Sequence, residues 1–337
     1  MTIYFAEWNA DYEKYMINAL KHEYDVILYN KLMKHFRDIN FSLERKNFPR
    51  QWFIKLNQLI KLRKLKPDDI LLCSGFAISG FIDLVKDVNC HRVLVLRDTI
   101  DVLNNSMKNK KKWLRQDEDF ITKITPHFSK IYSFDFDDCK KYHFTYLNQF
   151  LPFTLFEMKK IREEVNYNVA TKSCFFIGEY LDNRVEVINN LAPILLDNNY
   201  KTDFHLINYN LLPKKTELNF KKSDYYNLGS KIGYFDNIEK VKQSDIILEI
   251  GQLGQTGVTL RAIEAILFNK KLITTNKSIK EYDFYSPEQI FILENENYTN
   301  ISEFLQTDFL PIPLEILYQY SADEMLETIN SAFITSN

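Results

Sequence analysis

The segment LEIGQLGQTGVTLRAIEAILFNKKLITTN, Leu248–Asn276, concentrates residue types that could do chemistry. Three of the chain's 8 glycines, Gly251, Gly254 and Gly257, lie between an apolar strand-like run, Asp245–Ile250, and an amphipathic one. Glycines there let the backbone turn tightly and approach a ligand closely. Thr256 or Thr259 could cap a helix beginning near Val258. Open N–H groups at that helix start, reinforced by its dipole, form an anion site suited to a diphosphate. Glu264 is expected about two turns into the helix, on the face carrying Leu260 and Leu267. A carboxylate there can accept paired hydrogen bonds from vicinal hydroxyls such as those of a ribose. The alternative is that the glycines only shape a strand-to-helix turn and Glu264 faces solvent. The spacing in GQLGQTG fits neither the dinucleotide fingerprint nor a P-loop.

Two further carboxylates follow strand candidates: Glu7 after Thr2–Ala6 and Asp98 after Arg92–Leu96. Either could take a proton from an acceptor hydroxyl, and either could equally be a helix cap or a surface ion pair. Asp135–Asp137 reads Asp-Phe-Asp, two hard oxygen ligands of the kind that hold a divalent ion beside a diphosphate. Asp138, ahead of CKKYHF, reads instead as a helix cap, and no metal or other cofactor is expected. The six histidines form no triad with a serine and an acid, and His205 on a strand is expected in the core. Cys73, Cys90, Cys139 and Cys174 are scattered without a C-x-x-C pair, which predicts reduced thiols rather than disulfides or a zinc site.

The elements that must position these residues alternate along the chain. Strand candidates in the first half are Thr2–Ala6, Val26–Tyr29, Ile70–Cys73, Arg92–Leu96 and Lys130–Phe134. Helical stretches fall near 11–21, 51–64, 80–88 and 114–128. LYNKLMKHFRDINFSLERKNFPR is less regular and reads as a surface excursion. Asn148–Lys172, with Pro152 and a polar run, reads as a connection, after which the alternation restarts at Ser173–Ile177 and runs to a helix near 313–332. Strand–helix–strand series form right-handed crossovers and parallel sheets. The expected fold class is α/β, with two doubly wound Rossmann-like domains facing a cleft: 1–155, and 156–337 with the last helix able to pack back on the first. Ligands then bind at carboxyl strand ends. A length of 337 residues supports two domains. A net charge of -2 and pI near 6.3 give no pull toward nucleic acid. The N-terminus carries no secretory signal pattern and no run reaches membrane-span length, so a cytoplasmic protein is expected.

With these residues in view, QTGVTLRAIEAILFNKKLITTN resembles the donor-binding strand–helix–strand unit of glycosyltransferases with the GT-B fold. CFFIGEYLDNRVEVINNLAPILLDNNY (174–200) resembles the first strand, loop and helix of their donor domain. IYSFDFDDCKKYHFTYLNQFLPF (131–153) resembles the end of the acceptor domain in enzymes of bacterial lipopolysaccharide and capsule synthesis. The resemblance covers most of residues 130–295. It implies transfer of a sugar from a nucleotide-sugar donor to an oligosaccharide or lipid-linked glycan acceptor. Gly178, Arg184, Gly257, Thr259, Glu264 and Lys277 would hold the donor, with Glu264 on the ribose and Arg184 or Lys277 at the phosphates. Where many members carry a second glutamate, this chain has Thr256. Rival readings are a nucleotide-sugar epimerase of the same architecture and a non-catalytic two-lobed ligand-binding protein.

Two basic stretches, 55–66 and 108–116, remain. In the first, Trp52, Leu56, Leu59 and Ile60 share one helix face. An ordinary surface helix explains that pattern; attraction to anionic lipid, placing the protein at the inner face of the cytoplasmic membrane, is the alternative.

Overall fold

A computed structural model describes residues 1–29, 33–110, 112–164, 172–207, 223–229, 231–252, 254–294 and 298–334. The chain divides into two compact units, Met1–Thr154 with Met325–Asn337, and Leu155–Glu324. Each is built on a six-stranded, wholly parallel sheet.

In the first unit β1 (Ile3–Ala6), β2 (Val26–Tyr29), β3 (Ile70–Ser74), β4 (His91–Leu96), β5 (Lys130–Ser133) and β6 (Thr145–Tyr146) lie in the order β2-β1-β3-β4-β5-β6. In the second, β7 (Ser173–Glu179), β8 (Lys201–Ile207), β9 (Asn227–Gly229), β10 (Ile246–Glu249), β11 (Lys271–Thr274) and β12 (Ile290–Ile292) lie in the order β12-β11-β10-β7-β8-β9. Helices cover both faces, so β1, β10 and β11 are buried along their whole length. This is the doubly wound α/β architecture that the alternating pattern requires.

Strand order decides where ligands can enter. The first sheet reverses direction between β1 and β3, the second between β7 and β10, and such reversals open a crevice at the carboxyl ends. In the second sheet the crevice is visible in the pairing. β7 pairs with β8 from Ser173 to Glu179, but with β10 only at Cys174 and Phe175.

Several local expectations are corrected. The stretch read as a surface excursion contains a helix, Met33–Arg45, that buries Met33 and Phe36 in the first core. Phe36 stacks on Phe53 with ring centroids 5.5 Å apart. The stretch read as a connection contains another, Leu155–Glu164, with Met158 fully buried and Arg162 Nη2 donating to the Ile266 carbonyl at 3.2 Å. The remainder of that expected connection, 165–171, lies outside the described residues. The helix expected near 114–128 is reduced to Phe120–Ile124 and one 3-10 turn, Thr125–His127, where Pro126 cannot continue the hydrogen-bond ladder. The closing helix is likewise divided, into Leu314–Leu317, a 3-10 turn and Ala322–Ile334. Its end belongs to the first unit, where Tyr24 Oη donates to Glu327 at 2.7 Å. His205 is only part-buried on β8 and shares a 2.7 Å contact with Asp203.

Candidate functional site

In the second unit, Gly178 and Arg184 meet at the reversal of the sheet. Gly178 sits near the end of β7, and a Cβ there would lie 2.9 Å from Arg184 Nη1. A larger residue would therefore displace the guanidinium. Arg184 donates through Nη1 to the Glu179 carbonyl at 3.0 Å and through Nε to the Ile250 carbonyl at 3.3 Å. It thus spans the gap where β7 and β10 part, placing a positive charge at the crevice.

The loop after β10 is closed by a residue the sequence reading missed. Glu249, buried at the end of β10, accepts the Thr259 hydroxyl at 2.6 Å and the Thr259 N–H at 3.4 Å. Its other oxygen accepts the Thr274 hydroxyl from β11. Asn276 Nδ2 donates to the carbonyls of Thr256 and Gly257, both at 3.3 Å, tying the glycine loop to the end of β11. Gly254 holds φ at +80°, a left-handed turn that favours glycine. A carboxylate ending an otherwise apolar strand, IILE, was the available signal for Glu249.

Thr259, not Thr256, caps the following helix, Leu260–Leu267, accepting the Ala262 N–H at 3.4 Å. The amides expected to be open at this helix start are partly occupied. Val258 N–H reaches Tyr282 Oη at 3.2 Å and Thr259 N–H reaches Glu249. Glu264 lies one turn into the helix rather than two and does not face solvent. It is buried, with its carboxylate 2.8 Å from Arg261 Nη1. Arg261 in turn stands over the Phe175 ring at 5.6 Å. Lys277 is exposed in the 3-10 turn Lys277–Glu281 that follows β11, next to the cap residue Asn276.

The first unit has its own cavity, about 720 Å³, at the reversal between β1 and β3. Glu7 and Asp98 both line it, so the structure brings the two candidate bases to one chamber. Glu7 holds φ at +60°, a left-handed conformation costly for a glutamate and a feature concentrated at functional sites. Burial pushes its carboxyl above the usual range, against the Asn9 amide bond at 2.7 Å and the charges of Arg37 and Lys61. Glu13, also on the cavity wall, is raised by burial and opposed first by Arg97; its carboxylate accepts the Ala10 N–H at 2.9 Å. Arg97, missed although it adjoins Asp98, donates to Gln149 Oε1 at 2.9 Å and lies over the Phe150 ring at 4.4 Å.

Asp135, read as one of two hard oxygen ligands, and Asp138, read as a cap, both cap helices. Asp135 caps the helix Phe136–Tyr142, accepting the Asp138 N–H at 3.1 Å. Asp138 is already inside that helix and accepts the Ile100 N–H at 2.8 Å, capping the neighbouring helix Ile100–Asn105.

These two doubly wound units define the GT-B class of fold, and comparison with solved structures agrees. The chain aligns with the apo structure of OtsA over 99% of both chains, at a TM-score of 0.59 and 11% identity. An α-glucosyltransferase in complex with UDP and a 13-mer DNA aligns over 99% of both chains, TM-score 0.59 and 10% identity. A UDP-forming α,α-trehalose-phosphate synthase from Burkholderia xenovorans, in complex with glucose-6-phosphate, covers 99% of this chain and 100% of its own at 0.59 and 9%. No protein-family model matches the chain, and no curated protein matches it.

Proposed function

We propose that the chain is a glycosyltransferase moving a sugar from a nucleotide-sugar donor, bound by the second unit, to a glycan acceptor in the first unit's cavity. The observation that carries this reading is the crevice where β7 and β10 part. Gly178, Arg184 and the glycine loop closed by Glu249 and Thr259 gather there, on a fold shared with enzymes that include UDP-binding ones. Arg184 and Lys277 would neutralise the departing diphosphate, with Gly257 and Thr259 shaping the backbone around it. Glu264 would accept the ribose hydroxyls by turning from Arg261. Glu7 or Asp98 would take the acceptor proton if the anomeric configuration inverts.

The reaction is proposed to need no metal, because side-chain cations supply the charge at the diphosphate and the Asp135 carboxylate is committed to a helix cap. The acceptor is proposed to be an oligosaccharide or lipid-linked glycan of bacterial surface polysaccharide, met in the cytoplasm at the inner membrane face. Among the described residues no helix is long and apolar enough to cross a membrane.

A thermal-shift screen of nucleotides and nucleotide sugars, followed by assay of nucleoside diphosphate release, tests the reading. A ligand that binds only the folded state raises the melting temperature by mass action. The expected result is stabilisation by one nucleotide class and turnover that survives excess EDTA. No stabilisation and no turnover across the screen overturns the reading; activity lost to EDTA and restored by Mn²⁺ or Mg²⁺ overturns metal independence.

A further inference from the structure

The helix Gln51–Lys61 sits on the first unit in the reverse of the orientation its apolar pattern suggests. Its inner face is Phe53 and Ile54, both buried, with Gln58 Nε2 donating to the Leu84 carbonyl at 3.0 Å. Four bulky apolar side chains point outward instead: Trp52 60% exposed, Leu56 46%, Leu59 68% and Ile60 60%. Spaced i, i+4, i+7 and i+8, they form one continuous stripe. Phe48, four residues before Trp52, is 59% exposed as well. An ordinary surface helix turns such a stripe inward, and a contiguous exposed one marks an interaction surface.

The charges around the stripe indicate what the partner is. Lys55, Arg63, Lys64 and Lys66 are exposed beside it, and no Asp or Glu occurs between Arg45 and Pro67. Two copies of the chain meeting through this face would set lysines against lysines. An anionic bilayer instead takes the apolar stripe at its acyl boundary and the ammonium groups among its headgroups, reached by their flexible stems. An indole at the edge of such a stripe suits the interfacial layer. We propose that Gln51–Lys61, with Phe48 and the basic residues to Lys66, is a docking face for a membrane surface carrying anionic lipid. This deepens the reading of a lipid-linked acceptor; its test is binding rather than turnover, so either idea can fail alone.

The test is co-sedimentation of the full chain with phosphatidylcholine vesicles, with and without phosphatidylglycerol, alongside tryptophan emission. Binding is expected only with phosphatidylglycerol, weakening with salt, and accompanied by a blue shift that Trp52→Phe removes. Leu59→Gln/Ile60→Gln and Lys55→Glu/Lys64→Glu should each lower vesicle affinity roughly tenfold or more. Melting temperature and nucleotide affinity should hold, since these positions are exposed. Failure to bind, equal binding to neutral vesicles, or full binding by both double variants overturns the proposal. So does a dimer that Leu59→Gln/Ile60→Gln dissociates, which would make the face a self-association surface.

Discussion

The Thr259 hydroxyl stands 2.6 Å from Oε1 of Glu249, closing a loop between residues ten positions apart at the mouth of the second sheet's crevice. The same hydroxyl oxygen caps the helix at Ala262, so one side chain fixes both ends of the proposed phosphate-facing segment. Thr259→Ala should cost about 1 kcal/mol for the cap. A further loss of about 1.5–3 kcal/mol follows from removing a partner of the buried carboxylate. Urea unfolding measures the sum, and nucleotide titration should show weaker binding as the loop loosens. Unchanged stability would mean that the clasp is not holding the loop.

Glu264 separates binding from folding. Glu264→Ala would leave the Arg261 guanidinium, mostly buried, without its carboxylate, and should destabilise the unit by about 3 kcal/mol. Glu264→Gln keeps the volume and a hydrogen-bonding oxygen while removing the charge. It is the informative variant, and should lower nucleotide affinity roughly tenfold to a hundredfold by weakening contacts to ribose hydroxyls. Unchanged affinity in folded Glu264→Gln would confine the glutamate to its ion pair with Arg261.

Asp138 carries a pH dependence that a surface carboxylate would lack. Burial, followed by the charges of Asp135 and Asp101, pushes its carboxyl up to about 6, against the Ile100 N–H bond that lowers it. The folded state then holds a proton the unfolded chain has released, so stability falls as pH rises from about 4 to about 6. The cost is fully present near neutrality. Asp138→Asn keeps an acceptor for Ile100 and removes that cost. It should raise stability near pH 7 by about 1–2 kcal/mol after solvent screening, with little difference below the carboxylate range. Parallel melts across pH check this, and identical slopes for the two proteins would refute it.

The fold was legible because β1 (IYFA), β3 (ILLCS) and β10 (IILE) are short apolar runs separated by helical patterns, which only a covered parallel sheet accommodates. Helix Met33–Arg45 was not legible: its fully buried apolar contacts, Met33 and Phe36, crowd its first turn, while further along Ile39 is exposed and Asn40 is buried. The face of Gln51–Lys61 was left between two readings because periodicity groups apolar residues without saying which group meets the core. Glu249 escaped because its importance lies in Thr259 and Thr274, partners brought to it by a helix start and by the end of another strand. Arg97 is defined by Gln149 and Phe150, more than fifty residues away, a relation no local pattern contains.

The two carboxylates in the first unit's cavity permit the sharpest test of the proposed chemistry. Glu7 follows β1 in a left-handed conformation, at the reversal of the sheet, with its carboxyl raised by burial and steadied by Asn9. Asp98 follows β4 and faces the same chamber. Neither belongs to the unit proposed to hold the donor, so Glu7→Gln and Asp98→Asn should keep nucleotide affinity. An inverting enzyme should lose transfer in at least one of them by roughly 10²–10⁴-fold, the usual worth of a positioned base. A base acts deprotonated, so if Glu7 is that base the rate climbs with pH through its raised pKa. The acid limb of the profile then lies above the ordinary carboxylate range and disappears in Glu7→Gln. A limb within that range, unchanged by Glu7→Gln, would remove Glu7 from the role. Weakened nucleotide binding in both variants would show that donor and acceptor have been assigned to the wrong units. Full activity in both, with a product that keeps the donor's anomeric configuration, would establish retention and leave the cavity carboxylates to acceptor binding.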